Sequence, residues 1–137
     1  MSVREALRKA PLVEQVPGLH LLAVGHGWDA VRVSGEVGFP ALALLRSTGT
    51  ALGPVLYDRP GDRLYYAIRP ADDRSWQEVP VRLLSTGSWL VAPDPYLAYE
   101  WFGGWCELPD DDTLTDPSIL RTALQLGQAE AVSHACP

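Results

Sequence analysis

The chain is almost without lysine: of its eleven basic residues only Lys9 is not an arginine. It has one methionine, two phenylalanines and two cysteines, Cys106 and Cys136. Two cysteines do not make a disulfide framework. They predict free thiols in a reducing compartment, and so a cytoplasmic protein. No segment approaches the ~20 apolar residues that a membrane span requires. The opening "MSVREALRKAP" holds no apolar run of signal-peptide type. Glycine patterns that cradle phosphates are absent: Gly25-His26-Gly27 and Gly103-Gly104 lack the spacing that would turn backbone N–H groups toward one point. There is no G-x-S-x-G elbow. His20, His26 and His134 show neither H-x-x-x-H nor H-E-x-x-H spacing. These gaps predict no cofactor, no metal and no membrane contact.

Positive charge is scarce overall. Seventeen acidic residues against eleven basic ones give a formal charge of −6 and a pI near 4.9. Such a surface repels phosphates at long range, which disfavours nucleic acid as a general partner.

What is present fits one globular domain over residues 1–137. Hydrophobic residues make up 47% of the chain and charged residues 20%, a balance that argues against disorder. A chain of this length buries roughly two-thirds of its unfolded surface and needs no metal or disulfide to hold it. Twelve glycines and twelve prolines point to many turns and short strands.

"SVREALRKA" predicts a short helix, with Ser2 and Glu5 at capping-box spacing and Pro11 beyond its end. Strands are predicted at Leu19 to Val24 and Trp28 to Val33. In the second, Asp29, Val31 and Val33 point one way and Trp28, Ala30 and Arg32 the other. "GFPALALLRSTG" predicts a helix with Pro40 in its first turn and Gly49 in the left-handed position after its end. "GPVLYDRPGDRLYYAIRP" predicts a hairpin whose Pro60-Gly61 centre suits a type II turn, with Asp58 and Arg63 facing across it. On the return strand Leu64, Tyr66 and Ile68 share a face, and Tyr65, Ala67 and Arg69 the other. "ADDRSW" predicts a polar connection. Two further strands are predicted around Thr86-Gly87. "LPDDDTLTDP" predicts an acidic loop. Asp116 and Pro117 then open a last helix, with Leu120, Ala123, Leu124, Gly127 and Ala131 at helical spacing and a frayed tail "SHACP". The sum is an α+β domain: a largely antiparallel sheet of about five or six strands with two or three helices packed on it.

Candidate chemistry is thin. Asp110, Asp111 and Asp112 are consecutive on a loop, so their side chains diverge, and a solvated turn accounts for them better than a cation site. His134 and Cys136 bring two ligand types to a tail with no frame. Cys106 and His26 are the one conceivable thiol–imidazole pair, but nothing flanking Cys106 lowers its pKa. Asp58 stands at a strand end beside a tight turn, where pairing with Arg63 or Arg59 explains it. The stretch Gly87 to Trp105 holds Trp89, Tyr96, Tyr99, Trp101, Phe102 and Trp105 without one Lys or Arg. Single-strand binders couple stacking aromatics to a basic groove, so core and lid are the favoured roles here. A partner-binding patch at Trp101, Phe102 and Trp105 is the other reading.

Together "GWDAVRV", "ALALLRSTGTALGPVLYDRPGDRLYYAIRP", "VRLLSTGSWLVAPDP" and "LTDPSILRTAL" resemble short actinobacterial proteins of the bifunctional DNA primase/polymerase N-terminal-domain type. The resemblance covers about residues 27–124. It implies a sheet-borne acidic pair, D-x-D or D-x-E, holding divalent metals for nucleotidyl transfer, with a histidine on a neighbouring strand gripping the nucleotide. Asp58 matches one acid. The second falls on Pro60, and "RLYYAIRP" carries no histidine. The resemblance therefore implies the fold without the reaction: a non-catalytic binding or regulatory module working through a protein partner or self-association. The alternative is a metal-dependent nucleotidyl-transfer or nucleic-acid-binding domain. The candidate binding residues are Asp58 and Arg63 at the hairpin, Arg69 at the end of its return strand, and Trp89, Trp101, Phe102 and Trp105.

Overall fold

Among the described residues three helices and seven strands assemble into the α+β architecture that the sequence predicts. The computed structural model describes residues 2–13, 18–70, 76–95 and 102–135. Helix α1 spans Val3–Lys9 and helix α2 Gly35–Ser47. Helix α3 spans Pro117–Ala135. Strands β2 (Asp29–Ser34), β3 (Val55–Asp58), β4 (Arg63–Ile68), β5 (Val81–Leu84) and β7 (Gly103–Glu107) make a five-stranded antiparallel sheet in the order β5-β2-β4-β3-β7. Strands β1 (Leu19–Ala23) and β6 (Trp89–Pro93) form a separate two-stranded ribbon.

The five-stranded sheet is covered on both faces, but unequally. Helices α2 and α3 lie over one face. Val31, Val33, Leu64, Tyr66 and Ile68 point into them and meet Leu42, Leu45, Leu120 and Leu124. Gly127 sets how near the helices come, because a Cβ there would lie 2.5 Å from the Val37 carbonyl oxygen. On the other face α1 and the ribbon cover one end only. Val3, Leu7, Leu22, Trp28 and Leu90 pack there on Ala30, Leu56, Ala67 and Leu84. Alternation along β2 and β4 thus feeds two cores from one sheet.

Several local features differ from the sequence reading. Helix α2 begins at Gly35, so Pro40 lies inside it rather than in its first turn. The donor that Pro40 lacks would have met the carbonyl of Glu36, which is exposed. At the other end Gly49 takes φ +71, as predicted. Its N–H donates to the Arg46 carbonyl, and that of Thr50 to Leu45, the double closure of a Schellman ending. The hairpin turn is not type II: the left-handed residue is Asp62, at φ 50, and not Gly61. Asp62 is held there by both ends. Its carbonyl accepts from Gly35 N–H at 2.9 Å and its Oδ1 from the Tyr57 hydroxyl at 3.0 Å. That carboxylate lies over the start of α2, where the Ser34 side chain makes no cap, and its charge suits the helix N-terminus. Helix α3 opens as predicted, with Asp116 Oδ1 accepting from Ser118 and Ile119 N–H. It continues through Ala135 instead of fraying after Val132, with no glycine or proline between Gly127 and Ala135 to end it.

The acidic loop is anchored rather than free. Arg4 of α1 donates to the carbonyls of Leu108 and Pro109 and pairs with Asp110 at 3.1 Å. Asp111 accepts from Thr113 N–H, and hydrogen bonding at Thr113 holds its carboxyl below the usual range. Thr115 then plugs into the sheet, fully buried. It bridges Ile68 in parallel, receives Gly53 N–H on its hydroxyl at 3.0 Å and donates its own N–H to Ala67.

Candidate functional site

The uncovered end of the sheet carries the polar side chains. Register fixes which ones share a face. One row crossing the sheet is Arg82, Arg32, Tyr65, Leu56 and Trp105, each opposite the next. The following row is Ser34, Arg63, Asp58 and Gly103. Tyr65, Leu56 and Trp105 belong to the second core. Arg32, Arg63 and Arg82 instead line an open hollow of about 560 Å³ at the sheet's end, together with Ser34, Asp62 and Pro80. Among the described residues none of these three arginines forms an ion pair.

Asp58 faces Arg63 across the hairpin, as predicted, but the two make no ion pair within 4.0 Å. Its Oδ1 accepts instead from Gly61 N–H at 3.3 Å, closing the turn. The position across the other flank of β3 is Gly103, which has no side chain to share a cation. Asp62, four residues on, turns its carboxylate to Tyr57. Among the described residues no three His, Cys, Asp or Glu side chains come together as metal ligands.

The remaining sequence candidates separate. Arg69 lies beyond the end of β4, where it pairs with Asp116 and so ties the sheet to the start of α3. Phe102 is buried in the second core, and Trp105 is half-buried against it with its indole N–H on the Pro93 carbonyl at 2.8 Å. Both serve as core and lid, the favoured role for that stretch. Trp101, Tyr96 and Tyr99 lie outside the described residues. Trp89 is different. It is 59% exposed and shares the outer face of the ribbon with Val91, itself 41% exposed. Opposite them stand Ala23 and Leu21. Trp89, Leu21 and Ala23, with Ala6, Ala10 and Pro11, rim a mostly apolar hollow of about 350 Å³.

Among the described residues thiol and imidazole do not come together. Cys106 packs on the helix-side core, while His26 borders the Trp89 hollow on the far side of the sheet. Burial raises the Cys106 pKa, only partly offset by Arg46. His20 Nδ1 donates to the Ala10 carbonyl, and its Nε2 lies 3.8 Å from Asp94. Cys136 lies outside the described residues, and the His134–Cys136 pairing with it.

Sequence reasoning missed Arg32 and Arg82. Alternation does place Arg32 opposite Val31 and Val33, but nothing local tells that the strand of Arg82 lies beside it. It also missed an apolar groove of about 460 Å³ between α2 and α3, bordered by Leu44, Ile119 and Leu126. Comparison of the chain with family models, with characterised proteins and with solved structures gives no match in any of the three.

Proposed function

We propose that this chain is a non-catalytic, primase/polymerase-like binding module that acts through a protein partner or a second copy of itself. The observation that carries the reading is Trp89. A tryptophan 59% exposed, beside an exposed valine and an apolar hollow, is the kind of anchor around which protein interfaces gather. Trp89 stands on a hydrogen-bonded two-stranded ribbon, which limits the backbone order that binding has to impose. The surroundings of Asp58 support the same reading. In-line phosphoryl transfer needs cations held by converging oxygens, and the residues paired with Asp58 in register are an arginine and a glycine.

The test is Trp89→Ala. The fold is expected to survive, since the side chain is mostly outside the core. Sedimentation equilibrium then compares native and variant chains over a range of concentration. Self-association that the variant loses establishes the second-copy form of the reading. A monomeric native chain leaves the partner form, which photo-crosslinking from position 89 to a purified candidate tests directly. A thermal shift with Mn²⁺ and nucleoside triphosphate that Asp58→Ala abolishes would overturn the reading in favour of nucleotidyl transfer.

A further inference from the structure

Arg32 and Arg82 sit directly opposite each other on neighbouring strands, and like charges so placed repel. Arg63 lies on the same face one row away, diagonal to Arg32 across the β2–β4 pair. All three line one hollow, and among the described residues none has an ionic partner. In a chain of net charge −6 this is a local reversal of sign. Protection of a sheet edge by charge would account for Arg82 on the edge strand β5. It does not account for Arg32, which is on an interior strand. From this juxtaposition we propose that the hollow binds a phosphate group carrying more than one negative charge.

The geometry favours phosphate over a run of carboxylates. Directly opposed residues in a sheet stand about 5 Å apart and diagonal ones about 7–8 Å. Three arginines so spaced on one face are within reach of one compact anion, and each guanidinium offers a planar fork that matches two phosphate oxygens. Ser34 adds a hydroxyl on the same face. Among the described residues lining the hollow Asp62 is the one acid, and its carboxylate already accepts from the Tyr57 hydroxyl. Asp58, beside Arg63 in the same row, is engaged with Gly61 N–H. The hollow is open, so the ligand enters by its charged end and the rest of it stays in solvent. A free diphosphate compound and a phosphorylated side chain of another protein share this chemistry. The inference does not rest on the Trp89 surface, so either can fail while the other stands.

Calorimetric titration of the whole chain at low ionic strength separates the sources. One arm uses inorganic pyrophosphate, one a phosphoserine peptide, and one the same peptide with glutamate in place of phosphoserine. Saturable binding of pyrophosphate or of the phosphopeptide is expected, weakening as salt rises. If pyrophosphate binds the more tightly, the ligand is a free phosphate compound; if the phosphopeptide does, it is protein-borne. Arg32→Gln with Arg82→Gln removes the binding, while circular dichroism shows the fold kept. Arg32→Lys retains the charge but not the fork, and weakens binding about tenfold, the loss of one charge-assisted hydrogen bond. Three results would each overturn the proposal. They are no binding of either phosphate probe, equal binding by the double variant, and equal affinity for the glutamate peptide.

Discussion

At the scale of single residues, Tyr66 shows how one polar atom is accommodated in an apolar layer. The ring is fully buried between sheet and helices, and its hydroxyl donates to the Gly38 carbonyl at 2.7 Å. Burial, above all, holds its pKa well over that of a free phenol; the neighbouring Cys106 adds to this and Arg46 opposes it. The folded pKa is raised, so the contribution to stability is complete below the unfolded value of about 10 and is lost as pH climbs beyond it. Tyr66→Phe removes that alkaline loss, yet leaves Gly38 short of a donor. Urea denaturation should find the variant weaker by about 1–3 kcal/mol at neutral pH. The deficit should narrow as pH rises past about 10. That Tyr66 shares a face with Leu64 and Ile68 was legible in the sequence, because the strand alternates with a period of two. Its hydroxyl partner was not, since Gly38 is 28 residues away. The same holds for Arg69 and Asp116, 47 residues apart. Alternation reveals a side chain's face, whereas its partner depends on which strands and helices come to lie side by side.

At the scale of elements, strong local chemistry was readable and weak local chemistry was not. Asp116-Pro117 opens a helix and Gly49 closes one because each supplies a conformation few residues provide. Strand β7 escaped notice because it starts Gly103-Gly104, and glycine gives a strand neither side chain nor backbone preference. In the hairpin, Pro60-Gly61 suggested one turn, but Asp62 has two hydrogen bonds that reward the left-handed state and took it instead. Strand pairing has its own prediction. Replacing Arg82 by Gln relieves the opposed charges of β2 and β5. The variant should be more stable than the native chain, by about 0.2–1 kcal/mol in denaturant midpoints at low salt. High salt should erase the difference. A gain in stability from deleting a native side chain is what a binding residue, unlike a structural one, is expected to give.

At the scale of the whole molecule, two cores share a single sheet. Leu56 and Leu64 sit on adjacent strands yet point into different cores. Loss of either core therefore removes one face's support from the same strands. Leu7→Ala, from α1, and Leu124→Ala, from α3, should each cost about 2–5 kcal/mol. Tryptophan fluorescence and circular dichroism should follow one common transition in both variants. Two separated transitions in Leu7→Ala would mean that the ribbon side melts on its own. The α+β class was legible because the order of periodicities was clear. That the polar end of the sheet would be left uncovered was not, because it depends on how far α1 and the ribbon reach.

The placement of Thr115 has a consequence for how the chain is made. The residue closes a hole between Gly53 and the end of β4, and the strands flanking that hole are encoded more than forty positions earlier. Strand β7, which completes the β3 side of the sheet, and α3, which roofs it, are encoded later still or close by. A polypeptide emerging from the ribosome thus exposes the bare flank of β3 and an unroofed apolar surface until its final third has been translated. During that interval the unpaired flank is an edge along which nascent copies on one messenger can adhere to each other.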